Sequence, residues 1–162
     1  MKKKGVTLIE LVIYMSILSV LLLFFTDMFA TLVNKQLETE SLSNVQQDAN
    51  YLLSKFTYDF EQASSIELPL VPGAPATSLR MKIDSVVYDY SVVLGNMVVE
   101  HAGVQEVLNS SETILSNPTF QRLGEGNARD VIHITFDISS KVKQQAGYDV
   151  THFSTTLGIR EK

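Results

Sequence analysis

The apolar residues of this chain change their spacing along the sequence, which divides it into three stretches. The first stretch, Leu11–Phe25, reads LVIYMSILSVLLLFF and contains no charged residue. In the second, Val45–Ala63, apolar residues recur at intervals of three and four, as on one face of an α-helix. No Gly or Pro appears between Val6 and Leu68, so one helix is predicted to run through both stretches to about Ser64. The apolar face of its second half consists of Val45, Ala49, Leu52, Leu53, Phe56, Phe60 and Ala63.

Polar residues fill the other positions of this second half, and they are predicted to lie on the opposite side of the helix. They are Gln46, Gln47, Asp48, Lys55, Asp59 and Glu61. The apolar stripe is shorter than the three or four heptads that a coiled coil needs. We therefore expect the stripe to pack on the core of the chain's own folded domain.

In the third stretch the period of the pattern changes from 3.6 to 2, after a loop with three prolines and a glycine at 69–75. Residues 79–101 are predicted to form a three-stranded antiparallel meander, with Gly95-Asn96 as the turn of one hairpin. Asn117-Pro118 and residues 124–128 are predicted turns. Val131–Ser139 is the most regular strand, and Tyr148–Ile159 is predicted to be the last.

An antiparallel sheet with one apolar face needs a cover, and the amphipathic half of the helix supplies one. The predicted fold class is therefore α+β, with a long N-terminal α-helix packed on a C-terminal antiparallel β-sheet in a lollipop-like arrangement. The expected segments are a basic leader at 1–5, a membrane-spanning helix at 6–27, an amphipathic helix at 28–66 and a β-sheet domain at 67–162.

Composition removes several functional classes. The chain of 162 residues has a net charge of −5, so no basic surface is expected to bind nucleic acid directly. It contains no cysteine, which excludes disulfides, thiolate metal sites and thiol nucleophiles. The basic residues are nevertheless clustered at the start, where Lys2, Lys3 and Lys4 precede the apolar stretch. A basic tip followed by an apolar run is typical of a membrane-targeting segment.

Two general interpretations of this segment are open. A cleaved secretory signal would need a small-x-small cleavage site after the apolar run, and Met28 and Ala30 make a poor one. A signal anchor fits the length, since Val6–Phe25 would form roughly 30 Å of helix. Its lysines would then stay in the cytoplasm. Neither interpretation explains Glu10, because a carboxylate within an apolar span is costly unless it is paired.

A third interpretation accounts for Glu10. Residues 4–13 read KGVTLIELVI, directly after the basic tip. This segment closely resembles the cleavage and methylation signal of type IV prepilins and type II secretion pseudopilins. The resemblance lies in a short basic leader that ends in Gly5, Thr7 as the second residue after it, and Glu10 as the fifth. The family often has Phe where Val6 stands.

The resemblance implies a course of processing. In that family, a membrane aspartyl peptidase, the prepilin peptidase, cuts after the glycine on the cytoplasmic side and methylates the new N-terminus. By position, the cut falls between Gly5 and Val6, and Val6 becomes the N-methylated first residue. Glu10 would then pair with the N-terminal amine of a neighbouring subunit in a filament. An intramolecular pair between Val6 and Glu10 is an alternative, as is a carboxylate that reaches the lipid headgroups.

The resemblance also implies location and partners. The chain is expected in the cytoplasmic membrane as a single-pass protein with its C-terminal domain outside, and later in a pilus or pseudopilus. Its expected partners are prepilin peptidase, other pilins through the N-terminal helix, and the assembly platform of the machine. Asp27 and Ser19 stand where major pilins usually have Pro and often Gly, and the C-terminal disulfide loop is absent. These departures favour a minor pilin or pseudopilin.

The C-terminal half of the sequence shows little evidence of a catalytic, metal-binding or modification site. His101, His133 and His152 are scattered without metal-ligand spacing and are interpreted as solvated strand residues. Gly124-Glu125-Gly126 is interpreted as a turn, and 125–130 as a poor match to a calcium loop. Asn109-Ser110-Ser111 fits a glycosylation sequon, which is weak evidence. No catalytic residue, metal site or cofactor is predicted.

The sequence is compatible with three hypotheses about function. We favour the first, that the chain is a structural subunit of a pilus or pseudopilus. A signal-anchored binding or adhesion module that never polymerises would keep the anchor, but it would have no need for Gly5 or Glu10. A membrane-tethered enzyme is the weakest of the three, because no catalytic constellation is visible in the sequence.

Overall fold

The computed structural model describes residues 7–123, 130–142 and 150–159. Among these described residues, one helix, α1 (Leu8–Gln62), is followed by nine strands. The strands are β1 (Ala63–Leu68), β2 (Pro75–Ala76), β3 (Ser78–Ile83), β4 (Val86–Val93), β5 (Asn96–His101), β6 (Val104–Val107), β7 (Thr113–Arg122), β8 (Val131–Ser140) and β9 (Val150–Gly158). The chain divides into two compact units, residues 1–39 and residues 40–162.

The first unit contains the N-terminal part of α1. Every described side chain from Thr7 to Leu37 is exposed, including the large apolar ones. The predicted helix over the apolar stretch is therefore present, and nothing within its own unit covers its surface.

The second unit is an α+β domain with two antiparallel sheets, where the sequence predicted one. The first sheet has the strand order β1-β3-β4-β5-β6, and the second has the order β2-β7-β8-β9. The predicted meander over 79–101 is confirmed as strands β3, β4 and β5. The strand predicted at Val131–Ser139 is confirmed as β8, whose residues alternate between half-buried and fully buried.

The hairpins of the first sheet use two-residue turns with positive φ at both turn residues. The turns are Asp84-Ser85, Leu94-Gly95 and Ala102-Gly103. The prediction of Gly95-Asn96 as a turn is therefore wrong by one residue, because Asn96 already pairs with Val93 in the ladder. This register places Tyr88 opposite His101, and their rings stack with centroids 4.8 Å apart.

The second sheet corrects another predicted turn. Asn117-Pro118 lies inside β7, where the pairing with β8 shifts register between Ser116 and Thr119. Asn117 has a φ of 50°. A bulge of this kind lets a strand contain a proline, which has no amide hydrogen, while the pairing with the neighbouring strand continues on both sides of it. Of the predicted last strand Tyr148–Ile159, the structure describes Val150–Gly158 as β9, and the earlier residues lie outside the described part.

The core of the second unit lies between the Glu40–Gln62 part of α1 and the two sheets. Phe56 of the helix contacts both sheets, with ring centroids 5.2 Å from Tyr90 in β4 and 6.3 Å from Phe120 in β7. The predicted apolar stripe is confirmed as the buried face of the helix. Its fully buried members are Val45, Ala49, Leu52, Phe56 and Phe60.

The helix ends at Gln62, so residues 63–66, assigned to the amphipathic helix from the sequence, form the start of β1 instead. Ala63 and Ile66 are buried in the core. The Ser64 hydroxyl donates a hydrogen bond to the Lys82 carbonyl, 3.0 Å away. Pairing with β3 therefore replaces the helical hydrogen bonds as soon as the helix ends.

Two acidic residues predicted on the polar side of the helix are buried instead, and each binds a sheet element. Asp59 is 3% exposed, and it accepts hydrogen bonds from the Tyr90 hydroxyl and from Lys55 Nζ. Burial, together with the hydrogen bond to Asp59, raises the pKa of Tyr90 well above its usual range, so this hydroxyl stays protonated and donates. The polar contact thus fixes the helix on the first sheet.

Asp48 makes the corresponding contact with the loop between β6 and β7. Its Oδ2 accepts hydrogen bonds from the Ser110 amide at 2.9 Å, the Ser110 hydroxyl at 2.7 Å and the Thr113 hydroxyl at 2.5 Å. The loop is itself held by Asn109, whose side-chain oxygen accepts from the Met97 amide at 2.8 Å. One helix carboxylate therefore organises a loop more than 60 residues away in sequence.

Replacement of Asp48 by alanine is expected to lower the free energy of unfolding by about 1–3 kcal/mol. The reason is that the Thr113 hydroxyl would keep its buried position and lose its charged acceptor, whereas Ser110 is exposed and can bond to water instead. Urea unfolding of the full chain in detergent, followed by circular dichroism, measures the change. Glu61→Ala on the same helix is the control, because Glu61 is exposed. Equal stability of the two variants would contradict the role assigned to Asp48.

Candidate functional site

The candidate site is the start of α1, where the only charged side chain of the segment 8–26 lies. Glu10 Oε2 accepts hydrogen bonds from the Thr7 amide at 2.8 Å and from the Thr7 hydroxyl at 2.9 Å. The Glu10 amide donates to the Thr7 hydroxyl in return, at 3.4 Å. This reciprocal arrangement is a capping box, with Thr7 as the N-cap and Glu10 three residues into the helix.

The capping box holds Glu10 in a defined place. The carboxylate is drawn back over the first turn, where the positive end of the helix dipole favours an anion. It uses one oxygen for both Thr7 contacts, so its second oxygen has no partner among the described residues. The site therefore presents an anion with an available acceptor atom at the beginning of an exposed apolar helix.

Glu10 was predicted as a site residue from the sequence, but Thr7 was not predicted as its hydrogen-bond partner. The signal was present, because Thr7-Leu8-Ile9-Glu10 followed by an apolar run is the sequence pattern of a capping box. Thr7 was noticed only as part of the processing motif. The predicted site residues Lys2, Lys3, Lys4, Gly5 and Val6 lie outside the described residues.

The serine and threonine hydroxyls further along the apolar stretch are satisfied within the helix. Ser16, Ser19 and Thr26 each donate to the carbonyl four residues earlier, at 2.8, 2.8 and 2.9 Å. A hydroxyl bonded in this way adds little cost to a helix in lipid. By length and composition, α1 could cross a membrane, and it is the only described helix.

The histidines of the sheet domain are not brought together. His101 stacks on Tyr88, whereas His133 Nδ1 lies 2.9 Å from the Thr156 hydroxyl. His152 Nδ1 lies 2.6 Å from Asp137 Oδ1. Among the described residues, no group of three or more potential ligands could hold a metal ion. The proposed turn at 124–126 and most of the acidic segment 125–130 lie outside the described residues.

The pair of Asp137 and His152 belongs to the outer surface of the second sheet. Hydrogen bonds from the side-chain nitrogen of Asn117 and from His152 hold the pKa of Asp137 below its usual value. The carboxylate is therefore ionised at neutral pH, and both of its neighbours are donors to it. Their arrangement is that of a hydrogen-bonded cross-strand pair rather than of a nucleophile with its base.

The side chain of Asn109, the first residue of the sequon, makes hydrogen bonds within the fold. Asn109 is 7% exposed, and its side-chain nitrogen donates to the Thr113 carbonyl and hydroxyl at 3.3 and 3.2 Å. A glycan on this nitrogen would need space and would break these hydrogen bonds. In the folded domain, Asn109 therefore acts as part of the loop and not as an attachment point.

Comparison with known proteins agrees with the geometry at the helix start. A family model described as the prokaryotic N-terminal methylation motif matches residues 1–26. No curated protein and no solved structure matches the chain. The match covers the basic tip, the capping box and the first apolar turns, which are the residues on which the resemblance to prepilins was based. Residues 1–26 are therefore the class III signal of type IV prepilin-like proteins, and they lead into an apolar helix of the chain.

Proposed function

We propose that this chain is a minor pilin or pseudopilin, a structural subunit of a type IV pilus, a type II secretion pseudopilus or a competence pseudopilus. The match of the methylation motif to residues 1–26 carries the proposal, because that motif supports a type IV pilin-like precursor processed by prepilin peptidase. The absence of cysteine and the Asp27 and Ser19 positions favour a minor subunit over a major one.

In this proposal, the peptidase cuts between Gly5 and Val6 and methylates the Val6 amine. The basic residues Lys2, Lys3 and Lys4 hold the leader in the cytoplasm until then. The cut leaves the apolar helix whole, so the subunit stays in the cytoplasmic membrane with its sheet domain outside. It remains available there for the assembly platform.

Glu10 is the proposed assembly residue. Its carboxylate lies at the start of an exposed apolar helix, and it retains an oxygen without a described partner. A cation is needed to neutralise such a group in a low dielectric. The N-terminal amine of a neighbouring subunit can supply that cation when helices pack side by side. The exposed apolar surface of residues 8–29 is then covered by other subunits.

Mass spectrometry of the mature protein tests the processing step. The protein isolated from membranes of its host is expected to start at N-methylated Val6, without the first five residues. The control is a strain that lacks prepilin peptidase, from which the protein should keep Met1. An intact Met1 in cells that contain the peptidase would overturn the proposal.

Crosslinking within the membrane distinguishes the proposed filament subunit from a signal-anchored module that does not polymerise. Photocrosslinkers at exposed helix positions such as Ile17 or Leu21 are expected to capture other pilin-like subunits. Capture of lipid alone at these positions, in cells that build the machine, would favour the anchored module.

A further inference from the structure

The Tyr14 hydroxyl differs from the other hydroxyls in the apolar stretch of α1. Ser16, Ser19 and Thr26 each donate to a carbonyl of their own helix. The Tyr14 hydroxyl has no hydrogen-bond partner among the described residues, and Tyr14 is 61% exposed. Its ring holds the oxygen too far from the helix backbone for a bond of the serine type. In lipid an unpaired donor is costly, so this hydroxyl needs a partner from outside its own helix.

Tyr14 lies on the same helix face as Glu10, one turn further into the apolar stretch. The two residues are four apart, which corresponds to roughly 6 Å along the helix. Aromatic side chains in helices lean toward the N-terminus, so the Tyr14 hydroxyl reaches back toward the turn that contains Glu10. No hydrogen bond joins it to Glu10 of the same chain, whose carboxylate is held at the start of the helix by Thr7. A donor and an acceptor therefore lie on one face at different heights.

The acceptor that lacks a partner is Oε1 of Glu10. Thr7 binds only Oε2, and Oε1 has no partner among the described residues. A carboxylate oxygen accepts up to two hydrogen bonds, so Oε1 can bind an amine and a hydroxyl at once. A parallel helix with the same capping box presents the same free oxygen. If that helix is displaced by two to four residues, about 3–6 Å, its glutamate comes level with the Tyr14 hydroxyl of the first helix.

We propose that the Tyr14 hydroxyl donates a hydrogen bond to the capping glutamate of a neighbouring subunit when the helices pack in the membrane. This inference rests on the proposed function and deepens it, because it names the chemistry of the neighbour. The neighbour is a parallel helix that begins with the same threonine–glutamate capping box, in a second copy of this chain or in another subunit with the same signal. A neighbour without the acid would leave the hydroxyl unpaired in lipid, so Tyr14 contributes to the choice of partner.

The pairing proposed for Glu10 displaces the neighbour in the direction that Tyr14 requires. In the proposed mature chain, the amine is that of Val6, four residues before Glu10. For a neighbour's amine to meet Glu10 of this chain, the neighbour must be displaced toward the C-terminal end of α1. The same displacement brings the neighbour's capping glutamate toward the level of Tyr14. Because Glu10 and Tyr14 share one face, both contacts form in a single interface between two helices.

The contact between the Tyr14 hydroxyl and the carboxylate supplements the pairing of the carboxylate with an amine. A hydroxyl that donates to a carboxylate forms a short, charge-assisted hydrogen bond, and a low dielectric strengthens it. The hydroxyl has no charge of its own, so it cannot neutralise the carboxylate as the amine does. Loss of the Tyr14 hydroxyl is therefore expected to weaken assembly less than loss of the charge of Glu10.

Tyr14→Phe tests the hydroxyl, because it removes one oxygen and keeps the ring. In the full chain, in cells that build the machine, the fraction recovered in sheared filaments is expected to fall by about three- to tenfold. The amount in the membrane and the mature N-terminus should not change. Ser16→Ala is the matched control, since it also removes a hydroxyl from the stretch, but one that is bonded within the helix. Its incorporation should stay normal.

A photocrosslinker in place of Tyr14 tests the register of the two helices. Benzoylphenylalanine keeps an aromatic ring at this position, and mass spectrometry of the product identifies the captured residue of the neighbour. We expect capture in the first turn of the neighbour's helix, around its capping glutamate. The control is the same crosslinker in place of Leu18, which is exposed on the same face one turn later. From there, capture should move one turn further along the neighbour.

The outcomes separate this proposal from its alternatives and from the proposed function. Normal incorporation of Tyr14→Phe, or an equal loss in Tyr14→Phe and Ser16→Ala, would overturn the proposal. A lower membrane level of Tyr14→Phe would overturn it as well, because the hydroxyl would then act as an anchor at the lipid headgroups. Crosslinks from position 14 to another part of a neighbouring subunit would overturn this proposal but leave the proposed function intact. Capture of lipid alone at both positions would contradict both.

Discussion

Substitution of Glu10 by glutamine is expected to leave the chain processed and folded but to reduce its incorporation into filaments by about tenfold or more. Glutamine can serve in a capping box as glutamate does, so the contacts with Thr7 can be kept. What the variant loses is the negative charge. The expected defect therefore lies in neutralising the amine of a neighbouring subunit and not in forming the helix.

The measurement compares sheared filament fractions with membrane fractions by immunoblotting, and mass spectrometry of the membrane form confirms the mature Val6 N-terminus. Thr7→Val is the complementary control, because it removes the capping hydroxyl and leaves the charge of Glu10 in place. If assembly depends on the charge, Thr7→Val should be the milder variant. Normal incorporation of Glu10→Gln would contradict the pairing of Glu10 with an amine.

Replacement of Phe56 by alanine is expected to lower the free energy of unfolding of the sheet domain by about 3–5 kcal/mol. Phe56 is fully buried, and its ring contacts Tyr90 of the first sheet and Phe120 of the second. Alanine would leave a cavity where the helix and both sheets meet. A domain with a total stability of about 5–15 kcal/mol would lose a large share of it.

Urea unfolding of the full chain in detergent, followed by circular dichroism and tyrosine fluorescence, gives this change. Tyr58→Ala is the matched control on the same helix, since Tyr58 is 60% exposed and its loss should cost no more than about 0.5 kcal/mol. A similar effect of both substitutions would mean that the helix is not held on the sheets through Phe56.

The apolar pattern was sufficient to predict the helix and most strands because their periods are regular. The stripe from Val45 to Phe60 and the alternation in β8 were both found at the expected positions. The division into two sheets could not be predicted, because strand alternation gives the inner face of each strand but not its neighbours. The turn at Leu94-Gly95 was missed because a leucine with positive φ is unusual.

Burial of Asp48 and Asp59 was missed for a related reason. A carboxylate on a helix is normally solvated, and only the donors that fold against it reverse that preference. Those donors are Ser110 and Thr113 for Asp48 and Tyr90 for Asp59, all distant in sequence. At the candidate site, by contrast, Thr7 and Glu10 are local, so their contact could have been found from the sequence.

The direct passage from α1 into β1 determines how the sheet domain would respond to mechanical load. No residue separates Gln62 from Ala63, so tension along the last turns of the helix reaches β1 without a compliant linker. The strand is hydrogen-bonded along its length to β3, and the Asp59–Tyr90 contact joins the same helix to β4. A pulling force would therefore be resisted by several hydrogen bonds at once, and the domain would follow the helix as one piece.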